Sequence, residues 1–280
     1  MAVRSCKQLC RLVLVGLLFV VQVDLLSAAD LFADKNLQTA IRDVLKKGEK
    51  DELKEEDLKN VFILKAAGKK ITNLAGLEKC PNMALLNLAN NQIKDLKPIA
   101  GLVNIQSLDL SNNQVSDLAP VAKLVKLQYL KLDKNQVKSL EPLKGLTAMS
   151  ALYLSENQVE SIQQVSGLKK LSSLYLDKNQ VQDVSPLKGL KWLSSLDLKH
   201  NKIKDVSPLA GLTELRYTFL EGNQITDVTP LVTMAKKDVD GPRRFAPYWH
   251  LYLAGNPLNA KAKADQVAAL KKLGVRVKAE

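Results

Sequence analysis

An asparagine recurs every 22 residues through the middle of the chain, at Asn91, Asn113, Asn135, Asn157, Asn179, Asn201 and Asn223. Each holds the same place in a frame LxLxxNxI/V, as in Leu108-Asp-Leu110-Ser-Asn-Asn113-Gln-Val115 and Leu174-Tyr-Leu176-Asp-Lys-Asn179-Gln-Val181. A lone asparagine in a turn says little. Seven in register, head to tail without a gap, mean a stack of like units. No unit of that length buries its apolar side chains alone, so the stack itself must supply the core.

The frame dictates how a unit is built. The two leucines of LxL fall on one face of a short extended segment and point inward, while the residues beside them point out. Stacked copies then form a parallel sheet. The asparagine comes where the chain leaves the strand, and its amide can donate to and accept from backbone groups that no strand ladder satisfies. One per unit predicts a ladder of side-chain hydrogen bonds along the stack.

The return leg has its own pattern: Asp95-Leu-Lys-Pro98-Ile-Ala-Gly101-Leu102, Asp205-Val-Ser-Pro208-Leu-Ala-Gly211-Leu212, Asp227-Val-Thr-Pro230-Leu231. Proline fixes φ and lacks a donor, so the expectation is a short 3₁₀ turn and no full α-helix. A 22-residue repeat with this DLxPLxGL segment resembles the internalins and the related phosphatase-regulatory leucine-rich repeats, over roughly residues 35–258. The resemblance implies an α/β leucine-rich-repeat solenoid, with a parallel β-sheet on the concave face, 3₁₀ turns on the convex face and helical N-terminal and C-terminal caps. It implies little about function, because the repeated residues are core and turn residues.

The expected organisation is a leader at 1–29, a helical cap at 30–62, about nine repeats over 63–258 and a C-terminal cap at 259–280. One period before Leu86 and Leu88 stand Leu64 and Ala66, with Lys69 in place of the asparagine and Ile71 keeping the last apolar position: a degenerate first repeat. Upstream, Asp34 suits the cap of a helix with apolar positions Leu37, Ala40, Ile41, Val44 and Leu45. Asn256 follows Asn223 by 33 residues, one period plus eleven, so an insertion lies near 235–247. Beyond it, Val267, Ala268, Leu270 and Leu273 suit a helix that Gly274 stops. Val275 and Val277 then suit an edge strand, with Arg276 and Lys278 discouraging further pairing.

Arg4, Lys7 and Arg11 precede the apolar run Leu12 to Val21, and Ser27-Ala28-Ala29 precedes Asp30. This reads as a secretory signal peptide cleaved near Ala29, its apolar run too short to span a bilayer. The mature chain then keeps Cys80 alone, which leaves no internal disulfide, and no N-x-S/T sequon occurs. Both absences favour a bacterial exported protein, periplasmic or extracellular. Cys80 has no histidine or second cysteine near it in sequence and reads as an inert thiol. No wall-anchoring signal is visible at the C-terminus, so invasion activity is not carried over from the resemblance.

Catalysis finds little support. His200 and His250, the two histidines, fall in different repeats, and no phosphate loop, metal-ligand cluster or paired carboxylates stand out. The expectation is a non-enzymatic chain without cofactor or metal.

Function must then come from the displayed surface, where the outward strand positions vary while the frame does not. Tyr129, Lys131, Tyr153, Tyr175, Asp177, Asp197, Tyr217, Phe219 and Tyr252 are the candidate contacts with a partner. Five of the six tyrosines lie on this face and, with Phe219, predict a stripe that binds a protein segment or a glycan. The plainer reading is that strand positions favour tyrosine and the stripe is solvated. The formal net charge of +12 is weighted to the end: residues 231–280 hold ten Lys/Arg against four Asp/Glu. The concave positions are mixed in sign, which argues against nucleic acid there. Lys236, Lys237, Arg243 and Arg244 read as a basic loop, either solvated or touching anionic envelope polymer or lipid headgroups. The leading expectation is an exported module recognising a protein through its concave face, without spanning a membrane. The alternatives are an envelope structural protein held by its basic end and, should the leader not be cleaved, a cytoplasmic phosphatase-regulatory scaffold.

Overall fold

The computed structural model describes residues 31–280, so the leader, with Cys6 and Cys10, lies outside the described residues. Ten three-residue strands form one parallel sheet in chain order: β1 (Ile63–Lys65), β2 (Leu85–Asn87), β3 (Ser107–Asp109), β4 (Tyr129–Lys131), β5 (Ala151–Tyr153), β6 (Ser173–Tyr175), β7 (Ser195–Asp197), β8 (Tyr217–Phe219), β9 (His250–Tyr252) and β10 (Arg276–Lys278). The pairing register follows the repeat. Leu64, Leu86, Leu108, Leu130, Leu152, Leu174 and Leu196 sit side by side and are fully buried. A parallel sheet needs a crossover for every strand, and most are short 3₁₀ turns such as Glu141–Leu143, Ser185–Gly189 and Ser207–Gly211.

The asparagines make the ladder that their spacing predicts. Asn157 Nδ2 donates to Leu132 O of the previous repeat at 2.9 Å and to Leu154 O of its own strand end at 3.0 Å. Its Oδ1 accepts from Val137 N at 2.9 Å. The same three partners recur from Asn91 to Asn256, so each amide, buried as far as Asn223 and half-buried at Asn256, ties one repeat to the last. The residue before each ladder asparagine takes a left-handed conformation: Asn90, Asn112, Lys134, Glu156, Lys178 and His200 have φ between 51° and 58°, and Gly222 and Gly255 complete the series. Glycine is the natural occupant of such a position. A Cβ on Gly222 would come within 2.7 Å of the His200 ring in the neighbouring turn.

One return leg departs from expectation. After β8 the chain forms a full α-helix, α2 (Thr229–Val239), despite Pro230. The proline stands in the first turn, where an N–H has no intrahelical partner and its absence costs nothing. The insertion that follows is organised by Asp238, which is buried and accepts from Arg244 N, Phe245 N and Ala246 N at 2.8, 3.1 and 2.9 Å. Here the leucine frame also fails. Thr218 replaces the first leucine of LxL, and Trp249 fills the space with its indole Nε1 donating to Thr218 Oγ1 at 2.9 Å, both side chains fully buried.

Both ends of the stack are covered. Asp34 caps α1 (Lys35–Leu45) by accepting from Asn36 N and Leu37 N, and its second oxygen accepts from Thr72 N at 2.8 Å, fastening the helix to the first repeat. Burial raises the Asp34 pKa, but the donors from Thr72, Leu37 and Asn73 outweigh it and hold the carboxyl below its ordinary value. Gly76, at φ 106°, lets the chain at Leu31 and Phe32 cross directly above it; a Cβ there would meet Leu31 O at 2.2 Å. At the other end a π-helical turn, Ala262–Gln266, leads into α3 (Val267–Lys272), and Gln266 Oε1 accepts from Val228 N at 2.8 Å. Cys80 is fully buried and its thiol is pushed up to about 12, first by burial and then by Glu78, which keeps it from acting as a thiolate. Among the described residues no helix is long and apolar enough to cross a membrane.

Candidate binding face

The strand register sorts the outward side chains into two files. The first residues of the strands give Ser107, Tyr129, Ala151, Ser173, Ser195, Tyr217, His250 and Arg276. The third residues give Asp109, Lys131, Tyr153, Tyr175, Asp197, Phe219, Tyr252 and Lys278. Tyr153 and Tyr175 stack at 4.8 Å between ring centroids, and Tyr129 reaches across from the other file to within 5.2 Å of Tyr153. Phe219 and Tyr252 stack at 4.6 Å, and Tyr217 stacks on His250 at 5.0 Å and on Phe219 at 6.5 Å.

The aromatics therefore form two clusters, and the continuous stripe expected from the sequence is interrupted. The reason is β7, which contributes Ser195 and Asp197 where its neighbours carry rings. Tyr175 turns its hydroxyl toward Ser195 Oγ at 2.7 Å. Asp197 is buried against the sheet and accepts from Lys199 N at 3.1 Å, with Lys199 Nζ at 3.3 Å from its carboxylate. Burial raises the Asp197 pKa, only partly offset by these contacts with Lys199, and Asp133 behaves alike, with Ser155 N its first partner. Asp197 is buried and Asp133 half-buried, and in both desolvation by burial is the leading cause of the raised pKa. Glu221 Oε2 is likewise buried, without a hydrogen-bond partner among the described residues. The Tyr129 hydroxyl is pushed up to about 12, first by burial and then by Tyr153, Asp109 and Asp133.

Cations brace the rings. Lys131 Nζ lies 5.9 Å from the Tyr153 ring centre, Lys199 Nζ 5.3 Å from that of Phe219 and Lys278 Nζ 5.4 Å from that of Tyr252. Rings held on both sides lose little freedom when a ligand covers them. Asp177 faces His200, whose Nδ1 lies 2.8 Å from its Oδ1, so this histidine is an exposed turn residue tied to the preceding repeat.

The basic residues of the insertion do not form one loop. Lys236 and Lys237 are exposed near the end of α2, Arg243 donates from Nε to Val239 O, and Arg244 forms an ion pair with Glu214. Arg216, Tyr248 and Arg276, which the repeat frame does not single out, gather instead beside Tyr217 and His250. The alternation of Arg276 with Lys278 in a terminal strand was the one available signal for them. Among the described residues no three His, Cys, Asp or Glu side chains gather to hold a metal ion.

Family profiles described as leucine-rich repeats match residues 103–145, 125–181 and 189–207. Among solved structures, an internalin C2 of Listeria monocytogenes is 35% identical, with a TM-score of 0.68, over 73% of this chain and 91% of that one. An internalin (inlF) of the same species is 27% identical, with a TM-score of 0.71, over 89% of this chain and 76% of that one. A leucine-rich-repeat protein of Leptospira interrogans, 22% identical with a TM-score of 0.58 over 74% of this chain and 57% of that one, shares the fold. Comparison with curated protein sequences gave no match.

Proposed function

This chain belongs to the internalin-like leucine-rich-repeat proteins, and from that premise we propose that it is an exported, non-enzymatic module that recognises a protein through its concave face. The observation that carries the reading is the pair of ring clusters, Tyr129/Tyr153/Tyr175 and Tyr217/Phe219/Tyr252, outward-facing and braced by lysines on a surface whose frame residues are all spent on the core. Tyrosine and its neighbours supply contact area at small entropic cost and dominate protein interfaces. Adhesion through the basic end is the weaker reading, because Arg244 is already matched by Glu214.

The test is capture of partners from native envelope extract by the purified chain and by a variant carrying Tyr153→Ser, Tyr175→Ser and Phe219→Ser. A discrete protein retained by the native chain and lost from the variant, with thermal unfolding nearly unchanged, supports concave recognition. Equal capture by both refutes it. Export is tested by sequencing the N-terminus of protein from its native cell: a start near Asp30 supports a cleaved leader, whereas retained Met1 would favour the intracellular scaffold.

A further inference from the structure

The C-terminal end of the concave face carries an open cavity of ≈ 380 Å³ lined by Arg216, Tyr217, Tyr248, His250 and Arg276. Sheet register assembles it: Tyr217, His250 and Arg276 are successive members of one file, on β8, β9 and β10. Arg216 precedes β8, and the insertion brings Tyr248 over it. The Arg216 guanidinium lies 5.2 Å from the Tyr248 ring centre and donates to Arg244 O at 3.2 Å. Arg276 Nη1 lies 3.1 Å from His250 Nε2, and since arginine has no acceptor, His250 accepts there and carries its proton on Nδ1.

Both guanidiniums are thus oriented by one hydrogen bond each, and Arg216 by the Tyr248 ring as well, with most of their five donors unspent. Neither is in an ion pair among the described residues, and no carboxylate lines the cavity. Arg244, a few residues away in the insertion, shows the contrast: it has Glu214. Two oriented forks without an anion, walled by half-exposed tyrosines, suit a planar oxyanion that accepts from both and is attached to a body able to lie on the rings.

We propose that this cavity takes the carboxylate of an acidic side chain in a peptide segment lying along the concave face. This inference rests on the concave-face reading above. A single local charge is favoured over a polyanion because the surface beyond the two arginines is mixed in sign: Asp197 and Glu221 stand there with Lys199 and Lys278, which gives no uniformly basic track. A polymer charged at every unit would meet those carboxylates; a peptide with one acid beside apolar groups meets the Phe219 and Tyr252 rings instead.

The probes are a fluorescein-labelled ten-residue peptide carrying one glutamate among apolar and uncharged residues, its glutamine counterpart, and a labelled oligogalacturonate, titrated against the purified chain by fluorescence anisotropy. Saturable binding of the glutamate peptide alone is expected. Arg216→Gln and Arg276→Gln should each weaken it about ten-fold, while Lys236→Gln/Lys237→Gln changes it less than about two-fold, since rim charges contribute little. Circular dichroism melts confirm that each variant is folded. Undiminished binding by the arginine variants overturns the proposal, as does preference for oligogalacturonate, which would assign the cavity to a sugar acid. Tyr153→Ser with Tyr175→Ser leaves the cavity and the Phe219 and Tyr252 rings in place, so glutamate binding by that variant separates failure of the cavity from failure of the wider face.

Discussion

The middle of the stack and its C-terminal end solve the same packing problem differently. From β2 to β7 every repeat buries leucines at the same points and ties off its strand with an asparagine held by the same three partners. At β8 and β9 the frame is broken three times: a threonine stands in the leucine position, a helix replaces the 3₁₀ turn, and the insertion must be closed by Asp238. Where the frame holds, stability is supplied by repetition and the outward residues vary freely. Where it breaks, individual polar pairs carry the load, and Tyr248 of the insertion joins the in-register Tyr217, His250 and Arg276 to wall the cavity beside Arg216.

Removing a ladder asparagine strikes the regular region hardest. Asn157→Ala orphans Val137 N and strips one of two donors from each of Leu132 O and Leu154 O, which keep Asn135 and Asn179; a loss of about 4 kcal/mol is expected. Because each repeat touches only its neighbours, the damage should divide the cooperative unit. Hydrogen exchange tests this: loss of protection confined to one repeat, with a single sharp melt, would refute the idea that asparagines couple repeats. At the irregular end Asp238→Ala leaves the buried N–H groups of Phe245 and Ala246 and the part-buried one of Arg244 without their acceptor and should cost about 3 kcal/mol. Its effect should stay local, with β2 to β6 keeping their protection and the Tyr248 wall of the cavity lost.

Thr218→Val tests the same end more gently. It keeps the shape and removes the acceptor of Trp249 Nε1, so a loss of about 1–2 kcal/mol is expected, with a shift in tryptophan fluorescence that the exposed Trp192 cannot produce. An unchanged melting temperature would mean that the indole finds another partner.

The smallest effect has the opposite sign. The folded-state pKa of Asp197 is raised. Its ionised form therefore destabilises the fold above that value, and the penalty disappears as pH falls through it toward the unfolded value of 3.8. Asp197→Asn should be slightly more stable than the native chain near neutral pH, with the advantage shrinking to nothing below about pH 4. Urea midpoints across that range decide the sign; an advantage that grows with acid would show that the Lys199 contacts outweigh burial.

Much of this molecule is legible in its residues because one rule is repeated. The period gives strand number, register and ladder, and Asp34 announces its helix. What fails to show is what depends on neighbours in space. Pro230 argues for a short turn, yet only its place in the first turn of α2 determines what it does. A list of tyrosines suggests a stripe, but the alternate files of a pleated strand put Tyr129 and Tyr217 in one and Tyr153, Tyr175 and Tyr252 in the other, and Asp197 between them is visible only in register. The left-handed positions filled by Lys134, Glu156 and Lys178 gave no signal, since in their chemistry nothing marks a residue suited to positive φ. Arg216 and Arg276 lie far apart in sequence and come to one cavity through the register of β8, β9 and β10.

The single strand between the two ring clusters has a metrical consequence. Tyr175 and Phe219 are separated by β7 alone, about 10 Å across two strand spacings, and since every repeat adds one strand, that gap can change only by whole steps. Excising the unit that contains β7 would bring Tyr175 against Phe219 and fuse the clusters; doubling it would part them by another step of about 4.8 Å. The solenoid is thus a graduated rule, on which the spacing of the two ring clusters is reset by counting units while every ring stays the same.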